Sequence, residues 1–290
     1  MSTVYLNGEL LPKERALISV DDRGFLFGDG VYEVTPAYGG SLFRKDRHLD
    51  RIRRGLAALR IDFDPEPLDQ VHCNLLAANG LEEAEVAIVY TQVTRGVAPR
   101  AHAFPTTPVQ PTVYAFAKEF QRPTREQWKL GYMATLVPDR RWARVDIKTI
   151  GLLPNCLAMQ AAVEAGAADA LLVRDGIALE GAHNNFFAVL NGMVVTHPAT
   201  NHILNGITRE YVLELCRDLA LAVEERPIQV EELWQAEEAF FTGTTTEVQP
   251  TVQIDGRPIG DGRVGPVAKR LMDAFLEGVE RATAAAAGRA

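Results

Sequence analysis

Two dipeptides constrain the second half of this chain more than any other feature. Asp175-Gly176 separates Ala170-Leu-Leu-Val from Ile177-Ala-Leu, and Asn191-Gly192 separates Phe186-Phe-Ala-Val from Met193-Val-Val. Asp-Gly and Asn-Gly suit the two-residue hairpin turn, in which both central residues take positive φ. This half is therefore expected to be rich in antiparallel sheet rather than a repeating βαβ array. A third such signal, Asn7-Gly8, sits between Val4-Tyr-Leu and Glu9-Leu and predicts a hairpin at the start.

Between the hairpins the pattern alternates. Strands are expected over 31–38 (closed by Gly39-Gly40), 86–93, 112–117 and 133–137, where β-branched and aromatic residues concentrate. Leu49, Ile52, Leu56 and Leu59 share one face of a helix over 47–59, and a second helix is expected over 66–80. Further helices are expected over 153–165, stopped by Gly166, and from Asn205 onward with Val212, Leu215, Cys216 and Leu219 inward. The last helix runs from Pro266 to about Arg281, with 282–290 expected to fray. At 290 residues the chain suits two domains around a cleft. The polar stretch Lys118-Glu-Phe-Gln-Arg-Pro-Thr124 marks the boundary. The expected division is a small N-terminal α/β domain over 1–118, a linker over 119–125, and a larger domain over 126–290.

Composition removes several function classes. Net charge is −8, which disfavours nucleic acid as partner. No run of 18 apolar residues exists, so no membrane span is expected. Met-Ser-Thr-Val-Tyr lacks the basic and apolar regions of a secretory signal. Cys73, Cys156 and Cys216 lie far apart without CxxC spacing, which suggests reduced thiols in the cytoplasm. Neither a P-loop nor a GxGxxG fingerprint occurs, and no metal site is expected.

Seven stretches carry chemistry. In Arg144-Val-Asp-Ile-Lys-Thr-Ile-Gly-Leu-Leu-Pro154, Lys148 is expected at a strand end facing inward, where desolvation favours the neutral, nucleophilic amine; an ordinary surface lysine is the alternative. Gly24, Gly28 and Gly30 mark a sharply bent backbone before the strand of Tyr32, which is either a packed aromatic or a cleft wall. Arg51, Arg53 and Arg54 share a helix, and one of them could turn inward to an anion. The segment 94–111 has four prolines and no periodicity, and it carries Arg100 and His102 on alternate positions; it reads as a carboxylate-binding or a solvated loop. Glu180 ends the first hairpin. Gly206-Ile207-Thr208 opens a helix and Thr242-Gly-Thr-Thr-Thr246 forms a hydroxyl-rich turn; each is an anion site or a plain cap or turn.

Together these stretches resemble the fold-type IV, or class IV, pyridoxal-phosphate aminotransferases, nearly end to end. Arg23-Gly-Phe-Leu-Phe-Gly-Asp-Gly-Val-Tyr-Glu-Val34 and Gln92-Val-Thr-Arg-Gly-Val-Ala-Pro-Arg-Ala-His-Ala-Phe-Pro105 look most like the bacterial D-amino acid aminotransferase branch. The resemblance implies an α+β, two-domain fold with antiparallel-rich sheets and flanking helices, and pyridoxal 5'-phosphate as cofactor. It implies a Schiff base at Lys148, Glu180 on the pyridine nitrogen, and phosphate held by Arg51, the Ile207 N–H, Thr208 and Thr244. Tyr32, Arg100 and His102 would trap the substrate carboxylate, with residues drawn from two subunits of a homodimer. The implied reaction moves an amino group between D-amino acids such as D-alanine or D-glutamate and 2-oxo acids such as 2-oxoglutarate or pyruvate. Other chemistries on the same fold are an (R)-amine transaminase, a branched-chain L-amino acid aminotransferase and an aminodeoxychorismate lyase; a non-enzymatic dimeric binding protein is the alternative from another class. One departure stands out: Ala182-His183-Asn184 occupies the place of a serine run, which bears on the hydrogen bonds near the ring and on substrate range.

Overall fold

The structure, a computed structural model, describes residues 2–288. The chain divides into two compact units. The first holds the chain through Gln121, Ile147–Gly151 and the residues from Ala282; the second holds Arg122–Asp146 and Leu152–Arg281. Lys148 thus belongs to the first unit, where the sequence division had assigned it to the second domain.

In the first unit six strands form one sheet, ordered Glu9–Pro12, Thr3–Leu6, Thr112–Glu119, Val86–Thr94, Gly30–Tyr38, Ser41–Leu42, and every pairing is antiparallel. Helices Lys45–Leu59 and Leu68–Ala78 accompany it. Leu49, Ile52 and Leu56 turn into one cluster with Val31, Val93 and Ile147, as their spacing predicts. Gly55 lets the helix approach the strand closely: a Cβ there would stand 3.0 Å from Val31 Cγ1. The glycine-rich stretch folds into a short helix, Arg23–Phe27, which the sequence reading did not foresee. Asp22 caps it by accepting from the Gly24 N–H at 2.7 Å, and Gly28 ends it at φ 68°.

In the second unit ten strands form a mixed sheet. Three of its pairings are parallel: Tyr132–Pro138 with Asp169–Arg174 and with Glu247–Ile254, and Met193–Thr196 with Val223–Glu225. The Asp175-Gly176 and Asn191-Gly192 hairpins form, with all four residues at positive φ. Pairing of Asn185 with Glu180 joins strand Asn185–Leu190 to Ile177–Gly181 and closes a ring of six strands. Phe186, Phe241, Leu171, Ala188 and Ile254 are among the side chains packed in the main cluster of this unit. The final helix, Pro266–Ala287, continues past Arg281 because the alanines that follow are good helix formers; the fraying expected from residue 282 is corrected up to Ala287.

Candidate active site

Lys148 lies in irregular backbone, not at the end of a strand. Strand Gly30–Tyr38 holds it instead. The Tyr32 N–H donates to the Lys148 carbonyl at 3.0 Å, Thr149 bridges Val31, and the Ile150 N–H donates to Gly30 O at 3.2 Å. The lysine is half-buried, and its Nζ sits 4.2 Å from the Tyr32 ring centroid. Tyr32 in turn stacks on Tyr90 at 5.6 Å. The structure therefore brings together Lys148 and Tyr32, 116 positions apart.

On the opposite face of that strand Glu33 is buried. It accepts from Arg51 Nε at 2.8 Å and Nη2 at 2.6 Å, from the Val34 N–H at 2.9 Å, and lies 3.1 Å from His48 Nδ1. Burial alone would raise the Glu33 carboxyl, but the Arg51 and His48 charges outweigh it and hold the group well below the usual carboxylate range. Arg51 is the arginine of its helix that turns inward, whereas Arg53 stays at the surface with Asp50 and Glu66.

Arg100 and His102 are exposed, and both approach Phe27, at 5.3 and 5.7 Å. Their loop is pinned. Arg23 donates to the Ala101 carbonyl at 2.6 Å, Asp29 binds both Arg23 and Arg95, and the Arg95 guanidinium lies 3.6 Å from the Phe104 ring centroid. Among the described residues, neither Arg100 nor His102 makes a polar or ring contact with Tyr32 or Lys148.

In the second unit Glu180 is 4% exposed. Its oxygens accept from Arg141 Nη1, from Asn185 Nδ2 at 2.8 Å and from the Leu204 N–H at 3.1–3.2 Å. Burial pushes its carboxyl up to about 7, against the pull of Arg141. A carboxylate offers about four lone-pair sites, so three donors leave room for one more. Asn185 also donates to the Leu204 carbonyl at 2.7 Å, which ties Glu180 to the approach of helix Ile207–Asp218. That helix starts at Gly206 without a side-chain cap, and the N–H groups of its first turn have no intrahelical acceptor. A Cβ on Gly206 would stand 2.1 Å from Asn185 Oδ1, and one on Gly243 would stand 3.1 Å from Asn184 Cβ. The helix start of Ile207 and Thr208 and the turn of Thr244 therefore flank neighbouring asparagines. A phosphorylated pyridine fits what this unit presents: an anionic acceptor with room for one donor, and an uncapped helix start beside hydroxyls.

The departure at 182–184 also has a place. Ala182 packs in a small core with Ala158 and Ala162. Asn184 donates to Asp169 at 2.6 Å, and His183 is half-exposed with Nδ1 3.6 Å from Asp169. Sequence reasoning missed Arg141, Glu33 and His48. The one available signal for Arg141 was the charged Asp139-Arg140-Arg141 directly after an apolar strand.

The chain matches the family model for amino-transferase class IV over residues 30–254. It is 40% identical over 282 residues to a D-alanine aminotransferase of Staphylococcus haemolyticus, covering 97% of this chain and 99% of that protein. It is equally similar to one of Bacillus licheniformis, at 40% over 283 residues, 97% of this chain and 98% of that one. Among solved structures, a T.th. branched-chain amino acid aminotransferase with pyridoxamine 5'-phosphate has a TM-score of 0.85 at 31% identity, covering 96% of this chain and 94% of that one. The Escherichia coli branched-chain amino acid aminotransferase has a TM-score of 0.88 at 26% identity, with 95% and 94% covered. The matched segment runs from the glycine before Tyr32 to the end of the strand after Thr244, so it spans every candidate site residue, and by sequence and fold alike the chain belongs to the class IV aminotransferases.

Proposed function

We propose that this protein transfers the amino group between D-amino acids, D-alanine and D-glutamate among them, and 2-oxo acids such as 2-oxoglutarate and pyruvate, using pyridoxal 5'-phosphate. The observation that carries the reading is 40% identity with D-alanine aminotransferases over 97% of the chain. Identity to the branched-chain enzymes of similar fold is lower, at 31% and 26%.

When bound, the cofactor supplies an electron sink for the carbanion formed at the substrate Cα. The chain's residues do the rest. Lys148 would be the residue that holds the cofactor, and its amine would carry the proton to and from the substrate Cα. The Tyr32 ring beside Nζ limits where the amine can swing and supports this role. Glu180 keeps the ring nitrogen protonated. Arg51, the Ile207 N–H, Thr208 and Thr244 hold the phosphate; the bidentate grip of Glu33 on Arg51 supports an oriented guanidinium. Arg100 and His102, with Tyr32, bind the substrate carboxylate. Because the carboxylate trap of the resembled enzymes draws on two subunits, we propose a homodimer; it would be cytoplasmic, and no helix of the described residues is long and apolar enough to cross a membrane.

Stopped-flow spectra of the cofactor-loaded protein with single enantiomers test the proposal. D-alanine should convert the cofactor band well ahead of any L-amino acid, and borohydride reduction before substrate should label Lys148. Faster conversion by L-leucine or L-glutamate would replace the reading with branched-chain transamination, the second reading that the solved structures favour. A label on another lysine would remove Lys148 from its role.

A further inference from the structure

Glu180 belongs to a four-residue ion network in which Glu180, Asp139 and Arg141 have buried side chains and Arg174 is partly exposed. The strand Tyr132–Pro138 ends where the Asp139 N–H donates to Val173 O at 2.7 Å. The Asp139 side chain has no exposed surface. It accepts from Arg141 Nε at 2.9 Å and Nη2 at 3.1 Å, from the Arg141 backbone N–H at 3.0 Å, and from Arg174 Nη2 at 2.8 Å. Arg141, its side chain 5% exposed, therefore has one edge clamped on Asp139 while Nη1 reaches Glu180; Nη2 also points to the His202 carbonyl at 3.4 Å. Lysine could supply the positive charge but not the geometry, since only a planar fork grips one carboxylate while holding a further N–H in a fixed direction for the other.

We propose that Arg141 is a positioning residue for Glu180: clamped by Asp139, its guanidinium favours the ionised form of the buried Glu180 carboxylate and orients it as the partner of a protonated ring nitrogen. The proposal rests on the reading of Glu180 given above. A neutral glutamic acid would donate a proton toward the ring nitrogen instead of accepting one, so ionisation is the property that matters. The groups bearing on that charge are Arg141, the Asn185 amide and the Leu204 N–H in contact, and Asp139 and Arg174 behind Arg141. Burial and Asp139 oppose ionisation, and Arg141 is the cation that favours it. Removing Arg141 would leave Glu180 buried with two neutral donors and a carboxylate nearby.

The test is isotope-edited infrared spectroscopy of the full-length protein, carrying 13C-labelled glutamate, titrated without cofactor. Glu180→Gln identifies the Glu180 band. In Arg141→Met the midpoint of that band should rise by about one pH unit or more, a tenfold weaker release of the proton. Arg141→Lys, which restores the charge, should recover at least half of the shift. An arginine with only a structural role would lower the melting temperature and leave the midpoint unmoved; that result overturns the proposal, as does a lysine variant shifted as far as the methionine one. If Arg141→Met yields no folded protein by circular dichroism, Arg141→Gln, which keeps a planar donor and drops the charge, takes the same measurement with the same expected direction. Failure of the transamination reading would appear separately, as no cofactor band when pyridoxal 5'-phosphate is added to the wild type.

Discussion

Replacing Glu33 by Gln keeps the side-chain shape and removes the charge at the centre of the first unit's buried network. Glu33 is 2% exposed and satisfies two N–H groups of Arg51 through two oxygens, with His48 and the Val34 N–H sharing one of them. Gln offers one oxygen, so its amide nitrogen must face either Nε or Nη2 of Arg51, donor against donor. Charge-assisted hydrogen bonds are worth roughly 1.5–3 kcal/mol each, a gross loss of about 3–6 for two. Breaking a buried ion pair by removing one partner costs roughly 3–5 kcal/mol. At about 2–4 °C per kcal/mol, the transition of this unit should fall by roughly 6–20 °C. Thermal and urea unfolding followed by circular dichroism, on Glu33→Gln, Arg51→Met and the double variant, measure the temperature shift and the free energies. Arg51→Met should cost about 2 kcal/mol less in the Glu33→Gln background than in wild type, because the partner is already lost. The pH adds an independent check. The folded Glu33 carboxyl lies far below its ordinary value of 4.5, so its stabilisation is complete above that pH and is lost as pH falls below it. The gap between wild type and Glu33→Gln should therefore narrow in acid. A Gln variant within about 1 kcal/mol of wild type at pH 7, or strict additivity in the cycle, would refute the ion network as a source of stability.

Two further outcomes are expected. Burial pushes the His72 imidazole, which contacts the Thr91 hydroxyl at 2.8 Å, down to about 4. The folded state thus stays neutral while the unfolded state takes a proton as pH falls below about 6.5, and stability attributable to this residue should drop by about 2 kcal/mol between pH 7.5 and 5; an unchanged acid slope in His72→Gln would count against it. Arg100→Ala should raise KM for 2-oxo acids while barely affecting a carboxylate-free (R)-amine, and equal effects on both in steady-state assays would take Arg100 out of the carboxylate trap.

Much of this protein was readable before folding, and the reason is range. The hairpins at Asn7-Gly8, Asp175-Gly176 and Asn191-Gly192 depend on φ preferences within four residues, so the sequence by itself determined them. The stripe of Leu49, Ile52 and Leu56 likewise follows from helical periodicity. The sequence singled out the candidate residues as chemically specific stretches: Lys148, Glu180, Arg51 and the Ile207-Thr208 helix start. Their environments were not legible. Lys148 was expected at a strand end in the second domain; the tertiary structure instead holds it in irregular backbone against the strand of Tyr32, through bonds spanning more than a hundred positions. The clamp on Glu180 exists only because neighbouring strands bring residue 141 to residue 180 and the Asn185 pairing closes the ring. Local propensity decides turns and helix faces; which charge meets which in a low-dielectric interior is decided by register and closure, and only the folded chain contains that information.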